Sequence, residues 1–203
     1  ATLVDDSIGG NDGTITGATA NGGAGVIGDS LQFSGGTDNV NCAGLADLLE
    51  TAAEFSFSFW YKRATPPGSH EAVITAATGA ASAGGFILHT YSSTGFPAFV
   101  PKNNVGSIMS NTIGTVNVCD GSWHHIAVVA GTASGFTCRL YIDGVEDNND
   151  TNSGAWTIDV SEVLLGDAND TFWTNLTGEM DRLHFYGRAL TPREVAMLFA
   201  EGQ

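Results

Sequence analysis

Three groups of residues have the types and spacing to do chemistry. The first is Glu179-x-Asp181-x-x-His184. Residues two apart in a strand share a face, so Glu179 and Asp181 stand side by side. A retaining glycosidase needs two such carboxyls about 5–5.5 Å apart. The second is His124-His125. Adjacent strand residues point to opposite faces, so the two rings cannot chelate one ion together. No Ser or Cys motif accompanies them, and the expected role is structural, with one imidazole buried and hydrogen-bonded. The third is the glycine-rich run Asp5-Asp6-Ser7-Ile8-Gly9-Gly10-Asn11-Asp12-Gly13-Thr14. Its carboxylate, amide and carbonyl oxygens are what a hard cation such as Ca2+ takes. The same residue types also make turns without any metal.

A sugar site needs exposed aromatic faces beside polar side chains. Trp173, in the polar stretch Asp167–Asn175, is the best placed, with Asn175 beside it. Tyr91 and Trp156 follow, then Trp60. Against each stands the core that a chain of this size needs, which also takes aromatic rings. Asn149, Asn169 and Asn175 begin Asn-x-Thr triplets, which matter only in a host that glycosylates asparagine.

The elements that must position these groups are short strands. Residues 123–145 organise the chain. His125, Ala127 and Val129 alternate with His124, Ile126 and Val128; a Gly, Ser and Thr turn covers 131–135. Phe136, Cys138, Leu140 and Ile142 then line one face of a returning strand. Asp143-Gly144 turns the chain again, because both residues tolerate the positive φ of a type I′ turn. In 55–62, Phe55, Phe57, Phe59 and Tyr61 alternate with Ser56, Ser58 and Trp60. One parity of each strand is expected inside, with Phe57, Phe59, Ile126, Val128, Leu140 and Ile142 in the core. Further strands are read at 1–4, 30–33, 38–42, 71–78, 85–91, 96–100, 112–119, 156–160, 163–166 and 178–186, with polar loops at 5–28, 146–154 and 167–177. Helical spacing marks 45–52 and 192–201. The second helix opens on the capping box Thr191-Pro192-Arg193-Glu194. Many strands without long intervening helices make an all-β antiparallel sandwich.

Three motifs carry a family resemblance. Trp123-His124-His125-Ile126-Ala127 followed by Leu140-Tyr141-Ile142-Asp143-Gly144-Val145 resembles the core signature of laminin-G-like, concanavalin-A-like jelly-roll domains. Gly178-Glu179-Met180-Asp181-Arg182-Leu183-His184-Phe185-Tyr186-Gly187-Arg188-Ala189-Leu190-Thr191 looks like that family's last strand and closing turn. Phe55–Lys62 is similar to its buried strand after a short helix. The resemblance covers most of the 203 residues. It implies a single two-sheet jelly-roll domain over 1–203, with the first-strand loop near the last strand. A structural Ca2+ held by Asp5, Asp6, Asn11 and Asp181 would then tie the chain ends together. Related retaining glucanases carry two glutamates flanking an aspartate on such a strand; here the terminal acid is missing, since Leu183 and His184 stand there. Glu179 and Asp181 are therefore not expected to be a catalytic pair.

Charge excludes some partners. Lys and Arg number 7 against 22 Asp and Glu, a net charge of −15, whereas nucleic acid and anionic membrane need basic surfaces. No apolar run is long enough to span a membrane. Of Cys42, Cys119 and Cys138, at most one pair can bond, and Cys138 reads as a buried small hydrophobe. Ala1 follows a cleaved signal or begins an excised domain. The resulting expectation is a non-catalytic carbohydrate-binding module of an extracellular, cell-surface or virion-surface protein, within a larger protein or assembly. The alternatives are an adhesive or structural domain without a small ligand, and a glycoside hydrolase or polysaccharide lyase.

Overall fold

The computed structural model describes residues 2–4, 11–78, 83–132, 136–154 and 156–203. Its strands are β1 (Thr2–Val4), β2 (Gly13–Thr16), β3 (Thr19–Ala24), β4 (Asp29–Ser34) and β5 (Asn39–Asn41). After α1 (Leu45–Thr51) come β6 (Glu54–Lys62), β7 (Glu71–Ala77), β8 (Phe86–Thr90), β9 (Pro97–Pro101), β10 (Thr112–Ile113), β11 (Trp123–Gly131), β12 (Phe136–Ile142) and β13 (Val145–Asn152). β14 (Glu162–Leu165), β15 (Thr177–Tyr186) and α2 (Pro192–Ala200) complete the order. One sheet has eight strands, β1-β2-β5-β14-β7-β8-β9-β10; the other has seven, β13-β12-β11-β6-β15-β4-β3. Every strand pair is antiparallel. This is the two-sheet sandwich that the alternation in β6, β11 and β12 requires. Among the described residues, no helix is long and apolar enough to cross a membrane.

The core follows one parity. Phe57 sits opposite Val128, and Phe59 opposite Ile126, in the β6–β11 register. Leu140 and Ile142 continue those rows on β12. All six, with Phe55 and Tyr61, are buried between the sheets. The opposite parity is buried too. Val195 of α2 packs with Ala127, Val129, Tyr141 and Leu190 on the outer face of the seven-stranded sheet. Trp60 stacks on Phe199, with ring centroids 5.5 Å apart. The α2 start is the expected capping box: Thr191 Oγ1 accepts the Glu194 N–H, and the Glu194 carboxylate accepts the Thr191 N–H. Asp143 and Gly144 both have positive φ, 51° and 79°, as their turn demands. Cys42, Cys119 and Cys138 are all buried.

Four local expectations are corrected. The stretch 5–28 is not all loop, since β2 and β3 lie in it. Thr19–Ala24 reads TANGGA and has almost no side-chain pattern, so only its ladder to β4 defines the strand. The stretch 146–154 is mostly strand: β13 is an edge strand with polar side chains. Those side chains clasp the other sheet. The Asp147 carboxylate accepts the N–H and hydroxyl of Thr115, Asn148 Nδ2 donates to the Ile113 carbonyl, and Ser110 Oγ donates to Asp150. Residues 156–160 pair with no strand. Trp156, Ile158 and Val160 are buried and Thr157 and Asp159 exposed, so the period-two pattern there reports burial of an extended segment, not a ladder. Within 112–119 only Thr112 and Ile113 are strand.

Candidate glycan-binding face

The polar loop after β14 lies across the outer face of the eight-stranded sheet. Gly166, at φ 81°, turns the chain out of the strand, and its N–H donates to the Val73 carbonyl. Asp167 Oδ1 accepts the Asn169 N–H, and Asp170 Oδ1 accepts the N–H groups of Phe172 and Trp173. These Asx turns give the loop a fixed shape. Ala168 is buried against Ala72 and Ile87. The loop is then sewn to β7: the Thr174 N–H donates to the His70 carbonyl, and the Ala72 N–H to the Thr174 carbonyl.

That path assembles five rings. Trp173 lies 4.5 Å from His89 and 6.0 Å from His70, and Phe172 packs edge-on at 5.0 Å from Trp173. Tyr91 lies 4.7 Å from His70 and 4.9 Å from His89. Phe172 is 70% exposed, unusual for a phenylalanine held in an ordered turn. The Tyr91 hydroxyl accepts from Asn111 Nδ2 at 2.9 Å, and His70 Nδ1 accepts the Ser92 N–H. His89 is 2% exposed; burial pulls its imidazole down to about 4, with His70 acting the same way and a Thr90 backbone bond opposing. It is therefore neutral at pH 7.

Of the four expected sugar contacts, the structure brings Trp173 and Tyr91 together. Trp156 is corrected to a core residue. It is 2% exposed, its ring packs 5.4 Å from Phe136 and 5.8 Å from Phe55, and its Nε1 donates to the Lys102 carbonyl. Asn175 directs its amide to the Asp38 carbonyl, 3.5 Å away, so it braces the β4–β5 turn. The residues that sequence reasoning missed are Phe172, His70 and His89. Adjacency to Trp173 in a polar loop was a signal for Phe172. Nothing local marked the two histidines.

The remaining candidates lie elsewhere. Glu179 and Asp181 stand on β15, opposite Lys62 and Trp60. Glu179 pairs with Lys62 Nζ at 3.1 Å and accepts from Ser30 Oγ at 2.6 Å. Asp181 Oδ2 accepts the Ile27 N–H and closes the β3–β4 turn, where it lies directly over Gly25. A bulge follows Asp181, with Arg182 at φ 51°, and puts His184 opposite Ser58. His124 and His125 occupy opposite faces as expected, and both are buried. His124 is hydrogen-bonded to Asp143 and Asp120, while His125 sits between Trp60 and Phe199 under α2, where burial pulls it down to about 4. Asn11 lies against Gly44; Asp5 and Asp6 lie outside the described residues. Among the described residues, no three His, Cys, Asp or Glu side chains converge as a metal cluster.

One buried ion pair anchors the far end of the loop. Arg63 Nη2 lies 3.2 Å from Glu71 Oε2, and Arg63 Nη1 donates to the Thr177 carbonyl at 2.6 Å. Burial pushes the Glu71 carboxyl up to about 7, outweighing the Arg63 charge and a backbone bond from Thr177.

Comparison with known proteins places the fold. The binding domain of Paraclostridial Mosquitocidal Protein 1 superposes with a TM-score of 0.73 at 16% identity, over 98% of this chain and 51% of that one. The binding domain of botulinum neurotoxin DC in complex with SialylT gives 0.69 at 14%, over 96% and 48%. A structure from work on botulinum neurotoxin type C, whose cell entry depends on interaction with two ganglioside molecules, gives 0.70 at 14%, over 96% and 47%. The chain thus spans about half the length of the domains it matches. No curated protein matches the sequence. Residues 34–196 match the family model described as the concanavalin A-like lectin/glucanases superfamily, laminin-G type, and the chain belongs to that family.

Proposed function

We propose that this chain is a non-catalytic carbohydrate-binding module of an extracellular or surface protein. The observation that carries the reading is the Phe172–Trp173 pair, with Phe172 exposed and Trp173 half-buried, held by Asx turns over His70 and Tyr91. Pyranose rings stack their apolar C–H faces on such surfaces. Support also comes from the sialyl and ganglioside ligands of the similar toxin domains. Glu179 and Asp181 serve an ion pair and a turn, which supports binding over hydrolysis. The test is a glycan array together with a turnover assay on plant and marine polysaccharides. Binding that is lost in Trp173→Ala, without turnover, is expected. Neither binding nor turnover would leave an adhesive domain, and hydrolysis abolished by Glu179→Gln would overturn the non-catalytic assignment.

A structural Ca2+ on Asp5, Asp6, Asn11 and Asp181 belongs to the same proposal. The donors are hard oxygens, which suit calcium. The family resemblance implies a first-strand loop near the last strand, which carries Asp181. The described residues alone form no cluster, so the site depends on Asp5 and Asp6. Direct metal analysis of protein purified without chelator tests it. About one calcium per chain is expected, and a metal-free protein that gains no thermal stability from added calcium would remove the site.

A further inference from the structure

We infer that the Phe172–Trp173 face takes an uncharged glycan and discriminates against sialylated or otherwise anionic sugars. This rests on the carbohydrate-binding reading above and goes beyond it by naming the ligand class.

The argument begins with where the positive charge is. A sugar carboxylate or sulfate is recognised by Arg or Lys, through charge-assisted and often bidentate hydrogen bonds. The chain has only 7 such residues. Five are already in ion pairs: Lys62 with Glu179, Arg63 with Glu71, Arg139 with Glu146, Arg182 with Glu201 and Arg188 with Glu194. Arg193 is on α2, which covers the other sheet. Arg63, at the far end of the loop, is buried against Glu71 and the Thr177 carbonyl, and Lys102 stands in the field of Asp170.

The ring cluster itself contains no Lys or Arg. His89 is held neutral by burial. His70 Nδ1 accepts the Ser92 N–H, so that nitrogen is already engaged by the backbone. Negative charge, by contrast, is built into the loop. Asp167 and Asp170 cap its turns, and Asn169 Nδ2 donates to Glu162 Oε1 of β14 at 3.2 Å. An approaching anion meets these carboxylates and the negative ring faces of Phe172 and Trp173, on a protein of net charge −15. A neutral pyranose meets no such repulsion. Its C–H face matches the ring quadrupole, and its hydroxyls find acceptors in the same carboxylates.

The test measures binding of the whole chain to matched probes. One pair is an oligosaccharide ending in β-galactose and the same oligosaccharide capped with sialic acid. Cellohexaose and laminarihexaose extend the neutral set. The neutral member is expected to bind at least about tenfold tighter at low salt. The gap should narrow as salt shortens the Debye length. Asp167→Asn/Asp170→Asn keeps the turn-capping oxygens and removes the charge, so it should also narrow the gap. Phe172→Ala, at an exposed position, should weaken neutral binding without unfolding the chain. Equal or tighter sialyl binding that Phe172→Ala still abolishes would overturn this inference and keep the carbohydrate site. Binding of no glycan on a mixed neutral and acidic array would overturn both.

Discussion

Asp143 ties together the two consecutive histidines of β11: its Oδ2 lies 2.9 Å from His124 Nδ1, and its Oδ1 accepts the His125 N–H, also at 2.9 Å. One turn carboxylate thus fixes the β11 and β12 ends and orients a ring that also meets Asp120 at 3.2 Å. The Asp143 bond, opposed by burial and aided by Asp120, raises the His124 imidazole above its usual 6.5. A histidine raised in the folded state contributes stability that is complete below the unfolded value and lost as pH rises through the folded one. Stability should therefore decline above pH 6.5. His124→Gln should remove that decline, read by urea unfolding at several pH values. Parallel curves for the two proteins would show that the bridge does not titrate.

Glu71 acts in a lower window with the same sign, although its protonated form is neutral rather than charged. Its folded carboxyl is raised to about 7 from 4.5, so the native chain keeps a proton that the unfolded chain has released. Stability then falls as pH rises from 4.5 to 7 and levels off above. The span is on the order of 3 kcal/mol for a side chain only 3% exposed. Glu71→Gln resembles the protonated form and should flatten this segment of the curve. It should also leave Arg63 an acceptor. If the variant retains the same slope between those pH values, Glu71 is not the group responsible.

Phe59 is fully buried, opposite Ile126, and its ring lies 6.5 Å from Phe57. Phe59→Ala removes that contact and leaves a cavity between two sheets that cannot close on it. The expected loss is about 3–5 kcal/mol in denaturant unfolding. A loss below about 1 kcal/mol would mean that the ring is not packed as described.

Asp181→Asn separates turn chemistry from metal chemistry. Asparagine still offers an oxygen to the Ile27 N–H, so the β3–β4 turn is kept. Its carboxylate charge is lost, and with it one proposed calcium ligand. The wild-type melting temperature should fall on chelation and recover with calcium, since a ligand bound only to the folded state stabilises by mass action, about 2.7 kcal/mol at a hundredfold excess over its Kd. Magnesium should substitute poorly. The variant should melt at nearly the same temperature with or without calcium. A variant as calcium-responsive as the wild type would remove Asp181 from the ligand set.

The amino-acid order by itself determined the sandwich and its inner faces. Phe55, Phe57 and Phe59 against Ser56 and Ser58 fix which parity of β6 goes inside, because side chains alternate across a strand. Asp143-Gly144 and the Thr191–Glu194 box mark a turn and a helix start, because both are made by neighbours in the chain. Local patterns carry no record of distant partners, and there the tertiary structure decided. β13 is a strand although every residue from Glu146 to Asn152 is polar, because its ladder to β12 and its clasp on Thr115 and Ile113 come from elsewhere in the chain. Trp156 went inward although its segment joins no sheet, since an extended chain alternates whether or not it is paired. The ring cluster was legible only at Trp173 and Tyr91. His70 and His89 join it because the loop after Gly166 folds back over β7 and β8, and that path depends on Ala168 finding Ala72 and Ile87, about 100 and 80 residues earlier.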